Sequence, residues 1–331
     1  MVGTVACSSS EGLDPKASEG QDFHYWAFGL AVRVPFALPG MRPGSPASSA
    51  LRLTAAEPGD IAACWSGREG PPVWETRIDG RAYAMERGRG GDHLMRWGPD
   101  ALFHLSDDCR RLRCTPPRSD RRAWERFMLD TVLWSASLLA GFEQLHASAV
   151  LGDAGAVGLM AGSGGGKSTL AAELVRRGLP LFCDDILALR MEGSRLGAHP
   201  GPALMNLPAG ESAARAVGET VAVLGHERWV TVRRATNTPS RVAALCLLDR
   251  RPGAKLQIET RAATVLDLLP HSLGFPHQSD RLRSRFELFA RLAAEVPVYR
   301  LTADPSVPPP ELADLVEPLA HRAAPSAASA G

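Results

Sequence analysis

Residues 146–189 read HASAVLGDAGAVGLMAGSGGGKSTLAAELVRRGLPLFCDDILAL. The stretch divides by pattern. Residues 147–151 are an apolar run, Gly152-Asp153-Ala154-Gly155 is turn material, and residues 156–161 are a second apolar run. Two strands joined by so short a turn predict an antiparallel hairpin. Ala161-Gly162-Ser163-Gly164-Gly165-Gly166-Lys167-Ser168-Thr169 follows. It carries the P-loop pattern G-x-x-x-x-G-K-[ST], with Ala161 at the first glycine position, the end of a strand. Glycines let backbone N–H groups close around phosphate oxygens without side-chain clashes. Residues Gly162, Ser163, Gly164, Gly165, Gly166, Lys167, Ser168 and Thr169 are therefore the expected nucleotide-binding set. Lys167 would supply charge to the β- and γ-phosphates, and the Ser168 hydroxyl would ligate Mg²⁺. A helix over 168–177 aims its first N–H groups at the anion and ends at Gly178. A merely flexible glycine-rich loop would not need a strand before it and an amphipathic helix after it.

The next apolar run, 179–183, ends in Asp184-Asp185. Ten helical residues advance about 15 Å, at roughly 1.5 Å each. Five strand residues return about 17 Å, at roughly 3.3 Å each. Two carboxylates thus come back to the level of the glycine loop. One can hold Mg²⁺ while the other accepts a proton from an attacking hydroxyl. An exposed acidic turn is the plain alternative, and the adjacent P-loop weighs against it. His146 opens the first hairpin strand and stands beside this site, although a lone histidine is more often a packing residue.

The 331 residues carry 37 basic and 36 acidic side chains, a formal net charge of +1. Only three of the basic residues are lysine: Lys16, Lys167 and Lys255. Near-neutrality argues against general nucleic-acid binding. A 45% hydrophobic content suffices for a sizeable core. The six cysteines are dispersed and no secretory segment opens the chain, so a cytoplasmic protein with reduced thiols is expected. Cys109 and Cys114 lack further ligands at zinc spacing. The most apolar stretch, 127–142, carries Asp130, Ser135 and Ser137 and is too short and polar to span a bilayer.

Four regions are expected. Residues 1–21 are small and polar and read as disordered. Residues 22–118 read as a small β-rich domain, with strand-like runs at 24–34, 60–65, 73–78, 82–86, 93–97, 101–105 and 111–114. Residues 119–303 contain a helix over 121–140, starting at Ser119-Asp120, and then the nucleotide-binding α/β segment. Residues 304–331 form a Pro/Ala-rich tail with a short helix over 311–320 and a disordered end.

Together the quoted residues resemble the catalytic domain of the bacterial HPr kinase/phosphorylase family. That family shows a histidine opening a strand, a short hairpin, a P-loop, a helix ending in Arg-Gly and a strand ending in Asp-Asp. Here these are His146, Gly152 to Gly155, Ala161 to Ser168, Arg177-Gly178 and Asp184-Asp185. The chain departs from the family after Leu189, reading HPGPALMNLP over 199–208 where the family has an acidic residue followed by Arg-Gly. The segment LHASAV at 145–150, the β-rich front and a late strand at 296–301 are similar to HPr-kinase-like serine kinases of ribosomal-peptide clusters, including those of lasso peptides. The resemblance implies an α/β fold, a P-loop HPr-kinase-like (PEP-carboxykinase-like) domain with a mixed sheet behind a β-rich domain. It implies ATP and Mg²⁺ as cofactors and a serine hydroxyl of a peptide or small protein as acceptor. By the same resemblance Asp184 is the catalytic base, Asp185 and Ser168 lie at the metal, and His146 lies near the transferred phosphate. It implies neither a nucleic-acid nor a membrane partner, and some of the enzymes it resembles are homo-oligomers.

Three other readings compete. An ABC-type or switch ATPase would use Asp249, at the end of the apolar run 242–248, as its metal-binding acid. Arg250 follows it, however, and no L-S-G-G-Q-like motif occurs. A nucleotide-gated binding module would not need the lysine, serine and aspartate pair together. A kinase of a small hydroxylated metabolite fits the same motifs. Neither H-R-D nor D-F-G occurs, so a eukaryotic-type protein kinase is excluded. Arginines at 110, 111, 113, 118, 121 and 122 form either a solvated surface or a dock for an acidic peptide. Arg281, Arg283 and Arg285 read as one polar helix face. Arg228, Arg233 and Arg234 are candidates to meet the leaving phosphate.

Overall fold

A computed structural model describes residues 22–321 apart from 49, 79, 80, 100, 119, 211–215 and 276–280. The expected disordered ends at 1–21 and 322–331, and the helix-start residue Ser119, lie outside the described residues. Within them the chain is mixed α/β, built on two nine-stranded sheets and one of three strands.

The first sheet runs, edge to edge, Arg42–Pro43, Phe23–Ala27, Leu30–Val34, Leu51–Ala55, Arg111–Cys114, Ala101–Leu105, His93–Trp97, Arg81–Arg87 and Trp74–Ile78. Leu51–Ala55 pairs parallel to both neighbours, and the remaining pairs are antiparallel. The expected run 24–34 is a hairpin, broken by Phe28 and Gly29 at positive φ. The expected strand at 60–65 is instead the helix Pro58–Cys64. Pro58 presets the first turn, and the Asp60 carboxylate accepts the Glu57 N–H at 3.3 Å. That local capping outweighs a short apolar pattern.

The expected helix over 121–140 is continuous but not uniform. Asp120 caps it by accepting the Ala123 N–H at 3.0 Å. It is α-helical over Arg121–Phe127, π-helical over Met128–Leu133 and α-helical again over Trp134–Leu139. The wider π turn explains why its apolar positions keep an imperfect α spacing. Trp124, Met128, Leu129, Val132 and Leu133 are buried, and Trp124 and Phe127 pack on Phe103 of the first sheet.

In the second sheet the order is Arg195–His199, Ile186–Glu192, Glu143–Gly152, Gly155–Met160, Val242–Arg250, Val298–Ala303 and Gln257–Arg261. Glu143–Gly152 and Gly155–Met160 form the expected hairpin, with Gly152 opposite Gly155. The next two pairings, onto Val242–Arg250 and Val298–Ala303, are parallel. Leu181–Cys183 and Ile186–Glu192 both pair antiparallel with Glu143–Gly152, one after the other. Asp184 and Asp185 are the corner between them. The third sheet orders Leu204–Pro208, Glu227–Val232 and Gly218–Leu224.

The helix Lys167–Arg176 buries Leu170, Leu174 and Val175 among Val150, Val157 and Leu181 of the second sheet, Val230 of the third, and Leu312 and Val316. The last two belong to the helix Pro309–His321, which covers the expected 311–320. Arg177 ties the two helices, donating to Asp314 at 2.7 Å, Glu317 at 2.9 Å and the Pro310 carbonyl at 2.7 Å.

Arg281 and Arg285 do not form a plain polar helix face. Both pair with the buried carboxylate of Glu143, Arg285 Nε at 2.7 Å. This triad fastens the helix Leu282–Glu295 to the start of the strand that leads to the site. Removing its one anion leaves two shielded guanidinium groups uncompensated, which costs about 3–5 kcal/mol. Glu143→Ala should lose stability of that order in urea denaturation, and a Glu143→Leu/Arg281→Leu/Arg285→Leu triple variant should recover much of it.

Candidate active site

The loop between the hairpin and its helix is tightly wound. Gly164 and Gly166 sit at φ +70° and +87°, and the Gly165 N–H donates to the Gly162 carbonyl at 3.0 Å. A Cβ on Gly165 would stand 2.6 Å from the Ala161 methyl, so Ala161 is accommodated because residue 165 is glycine. A Cβ at Gly162, Gly164 or Gly166 would meet nothing within 4 Å. For Gly162 no positive φ intervenes either. Neither backbone conformation nor packing within the described chain accounts for glycine there, and the loop presents an open face.

Lys167 opens the helix and is only 6% exposed. Among the described residues its ammonium makes no hydrogen bond or salt bridge. Its charge acts at a distance on Asp185, where it lowers the pKa, and on His271, which burial, His146 and Lys167 together hold below the ordinary histidine range. The aliphatic stem is buried while the ammonium keeps some access to solvent, so it is available to meet an anion.

The carboxylate pair sits opposite Ser148 on the neighbouring strand. Ser148 Oγ donates to Asp184 Oδ1 at 2.6 Å, and the Asn206 backbone N–H donates to Asp184 Oδ2 at 3.0 Å. Burial and the adjacent Asp185 charge raise the Asp184 pKa to about 7, against the opposing effect of Ser148, Asn206 and the Ser168 hydroxyl. Asp185 turns the corner at φ +63°, a strained conformation for a non-glycine residue. Its Oδ1 is 3.6 Å from His146 Nε2. His146, Asn206 and Lys167 outweigh burial and keep its pKa low.

The Ser168 hydroxyl helps to hold the Asp184 pKa down. Three further residues complete the cluster and went unread in the sequence. Ser148 was hidden inside an apolar run. Asn206 also reaches Asp185 Oδ2 and Asp130 Oδ2 through its side-chain amide, each at 3.4 Å. Asp130, on the π turn, is held by Arg126 Nε at 3.1 Å, and burial raises its pKa to about 6 despite that guanidinium. An acid within the apolar stretch 127–133 was the available signal. Asp130, Asp184, Asp185 and Asn206 line one small cavity of about 70 Å³. A separate open cleft of about 360 Å³ lies against Gly164, Gly166 and Thr169, with Arg250 and residues 305–309 also in its lining.

The rival acid Asp249 is engaged by Arg251 at 3.2 Å and Arg300 at 3.8 Å, and among the described residues makes no polar contact with the loop. Arg228 bonds the Ala209 carbonyl and Arg234 the Gly178 carbonyl, so both are occupied. Arg121 and Arg122 are spent on Glu125. Among the described residues no group of three or more His, Cys, Asp or Glu side chains is set to hold a metal alone, and no helix is long and apolar enough to cross a membrane.

No protein-family model matches the chain. No curated protein matches it. Among solved structures, the Hpr(Ser) kinase/phosphatase from Coxiella burnetii is similar to 53% of this chain and 92% of its own, at 18% identity and a TM-score of 0.28.

The raised Asp184 pKa has a consequence for stability. The native state holds a proton that the unfolded state releases, so stability is lost as pH rises from the ordinary carboxylate value through about 7. Asp184→Asn should therefore be more stable than the wild type at pH 8, by about 1–4 kcal/mol, with the gap closing near pH 4. Urea denaturation at the two pH values checks this.

Proposed function

We propose that the chain is an ATP- and Mg²⁺-dependent kinase that transfers a γ-phosphoryl group to a serine hydroxyl of a peptide. The observation that carries this reading is Lys167, whose buried stem sets an unpaired ammonium beside a glycine loop with an open face and within reach of the Asp185 charge. Phosphate oxygens would supply its missing acceptors, with the N–H groups of the loop and helix start around them. The cleft against Thr169 has the volume for a nucleoside. The peptide acceptor rests on the sequence resemblance.

The contacts favour a division of labour opposite to the one the resemblance implies. Ser168 and Asp184 would hold Mg²⁺, an oxygen set that suits a cation shared with phosphates. The ion would neutralise charge on the transferring group. Both Asp184 oxygens are already oriented by Ser148 and Asn206. Asp185 is more open, stays ionised and has His146 beside it. Asp185 would accept the hydroxyl proton as the acceptor oxygen bonds to the γ-phosphorus and the bond to the β-phosphate oxygen breaks. The loose transition state of phosphoryl transfer demands positioning more than a strong base. Lys167 would stabilise the equatorial oxygens, and His146 would orient Asp185.

Titration calorimetry and phosphate-transfer kinetics on a serine-peptide library test this. Lys167→Met should abolish Mg-ATP binding. Asp185→Asn should bind Mg-ATP but lose turnover by about 10²–10⁴-fold. Asp184→Asn should instead raise the Mg²⁺ concentration needed for half-maximal turnover. Wild-type nucleotide affinity in Lys167→Met would contradict the nucleotide site, and exchanged behaviour of the two Asn variants would restore the base role to Asp184.

A further inference from the structure

Asp130 lines two spaces. One is the small cavity shared with Asp184 and Asp185. The other is an open groove of about 770 Å³ between the first sheet, the π-containing helix and the turn of the third sheet. The groove has no lining residue in common with the cleft at the glycine loop. A donor nucleotide and an acceptor would thus reach the carboxylates through different openings, as a displacement with separate entering and leaving oxygens requires.

The groove's chemistry is specific. Tyr83, Trp97 and Phe127 stand together, with the Phe127 ring centroid 5.7 Å from Tyr83 and 6.2 Å from Trp97. Trp97 Nε1 donates to the Tyr83 hydroxyl at 3.1 Å, which fixes both rings. Leu224 closes the opposite side. Three carboxylates, Asp120, Asp130 and Glu227, face one guanidinium, Arg126. Arg126 spans the inner end, pairing with both Asp130 and Glu227. Trp97 and Phe127 are core residues, so the half-buried Tyr83 and Leu224 give the groove its apolar wall, and the excess of carboxylates complements a cation.

We propose that this groove is the acceptor site and takes an extended polypeptide segment. Its serine would reach past Asp130 to the catalytic cavity, an apolar side chain beside the serine would lie against Tyr83 and Leu224, and a basic residue would sit farther out toward Asp120. Asp130 and Arg126 are then positioning residues at the neck between groove and cavity. The proposal rests on the kinase reading above for its serine, but not for its polypeptide preference.

The test uses the full chain and serine-centred nonapeptides, with Phe beside the serine and Arg farther out, or Gly and Glu at those places. Each is also made with a benzophenone side chain, and glycerol serves as a small alcohol. The Phe/Arg peptide should be phosphorylated with at least tenfold higher kcat/KM than the Gly/Glu peptide. Leu224→Arg, on the exposed turn, and Thr131→Arg, on the π turn, should each raise its KM at least tenfold while Mg-ATP titrates as in the wild type. Benzophenone crosslinks should map to Tyr83, Phe127 or residues 224–227, with or without ATP. Unchanged peptide KM in both variants, crosslinks confined to other surfaces, or phosphorylation of glycerol in place of every peptide would overturn the proposal. Groove crosslinks with no phosphate transfer to any acceptor would sink the kinase reading and uphold the polypeptide groove.

Discussion

The placement of one lysine, its stem buried and its ammonium unpaired among the described residues, is the constraint on which the site depends. Lys167 is held at the first position of a helix whose apolar face is locked between two sheets and the C-terminal helix. The chain surrounds it with a loop whose glycines leave the outer face open and with carboxylates that do not touch it. The choice of lysine sharpens the point. Nearly every other cation in this chain is arginine, and a slim point charge, not a planar fork, suits a position between phosphates.

The carboxylates depend on a break in a sheet. Two short strands pair in succession with Glu143–Gly152, and the corner between them projects Asp184 and Asp185 beside the hairpin rather than at a strand tip. The left-handed backbone at Asp185 is the local cost. It is offset by the Ala147 N–H, which donates to the Asp185 carbonyl at 3.1 Å, and by the Ser148 and Asn206 bonds to Asp184. Asn206 then links this corner to Asp130 on the helix packed against the first sheet. The front sheet is thereby joined to the carboxylate cavity by side chains as well as by core packing.

What could be read from sequence was whatever is local. The hairpin, the glycine loop, its helix, the Arg-Gly stop and the Asp pair all fall within 44 consecutive residues, and each has its own turn, cap or phosphate-loop chemistry. The partners of the Asp pair are not local. Ser148 precedes Asp184 by 36 residues, Asn206 follows it by 22, and Asp130 belongs to a helix whose π turn no single periodicity reveals. The helix Pro58–Cys64 escaped because an apolar pattern over six residues suits strand and helix equally, and its capping acid decides. Which of the two adjacent aspartates Ser148 and the Asn206 N–H hold is likewise a matter of tertiary contacts that the sequence does not show.

The most direct test of the central claim exploits the shortage of lysine. An acyl-phosphate derivative of ATP acylates a lysine held against its phosphates, and only Lys16, Lys167 and Lys255 compete for it. Peptide mapping by mass spectrometry after brief exposure should find the label on Lys167, suppressed by excess Mg-ATP. Labelling of Lys16 or Lys255 instead, or labelling of Lys167 that Mg-ATP leaves undiminished, would contradict the account.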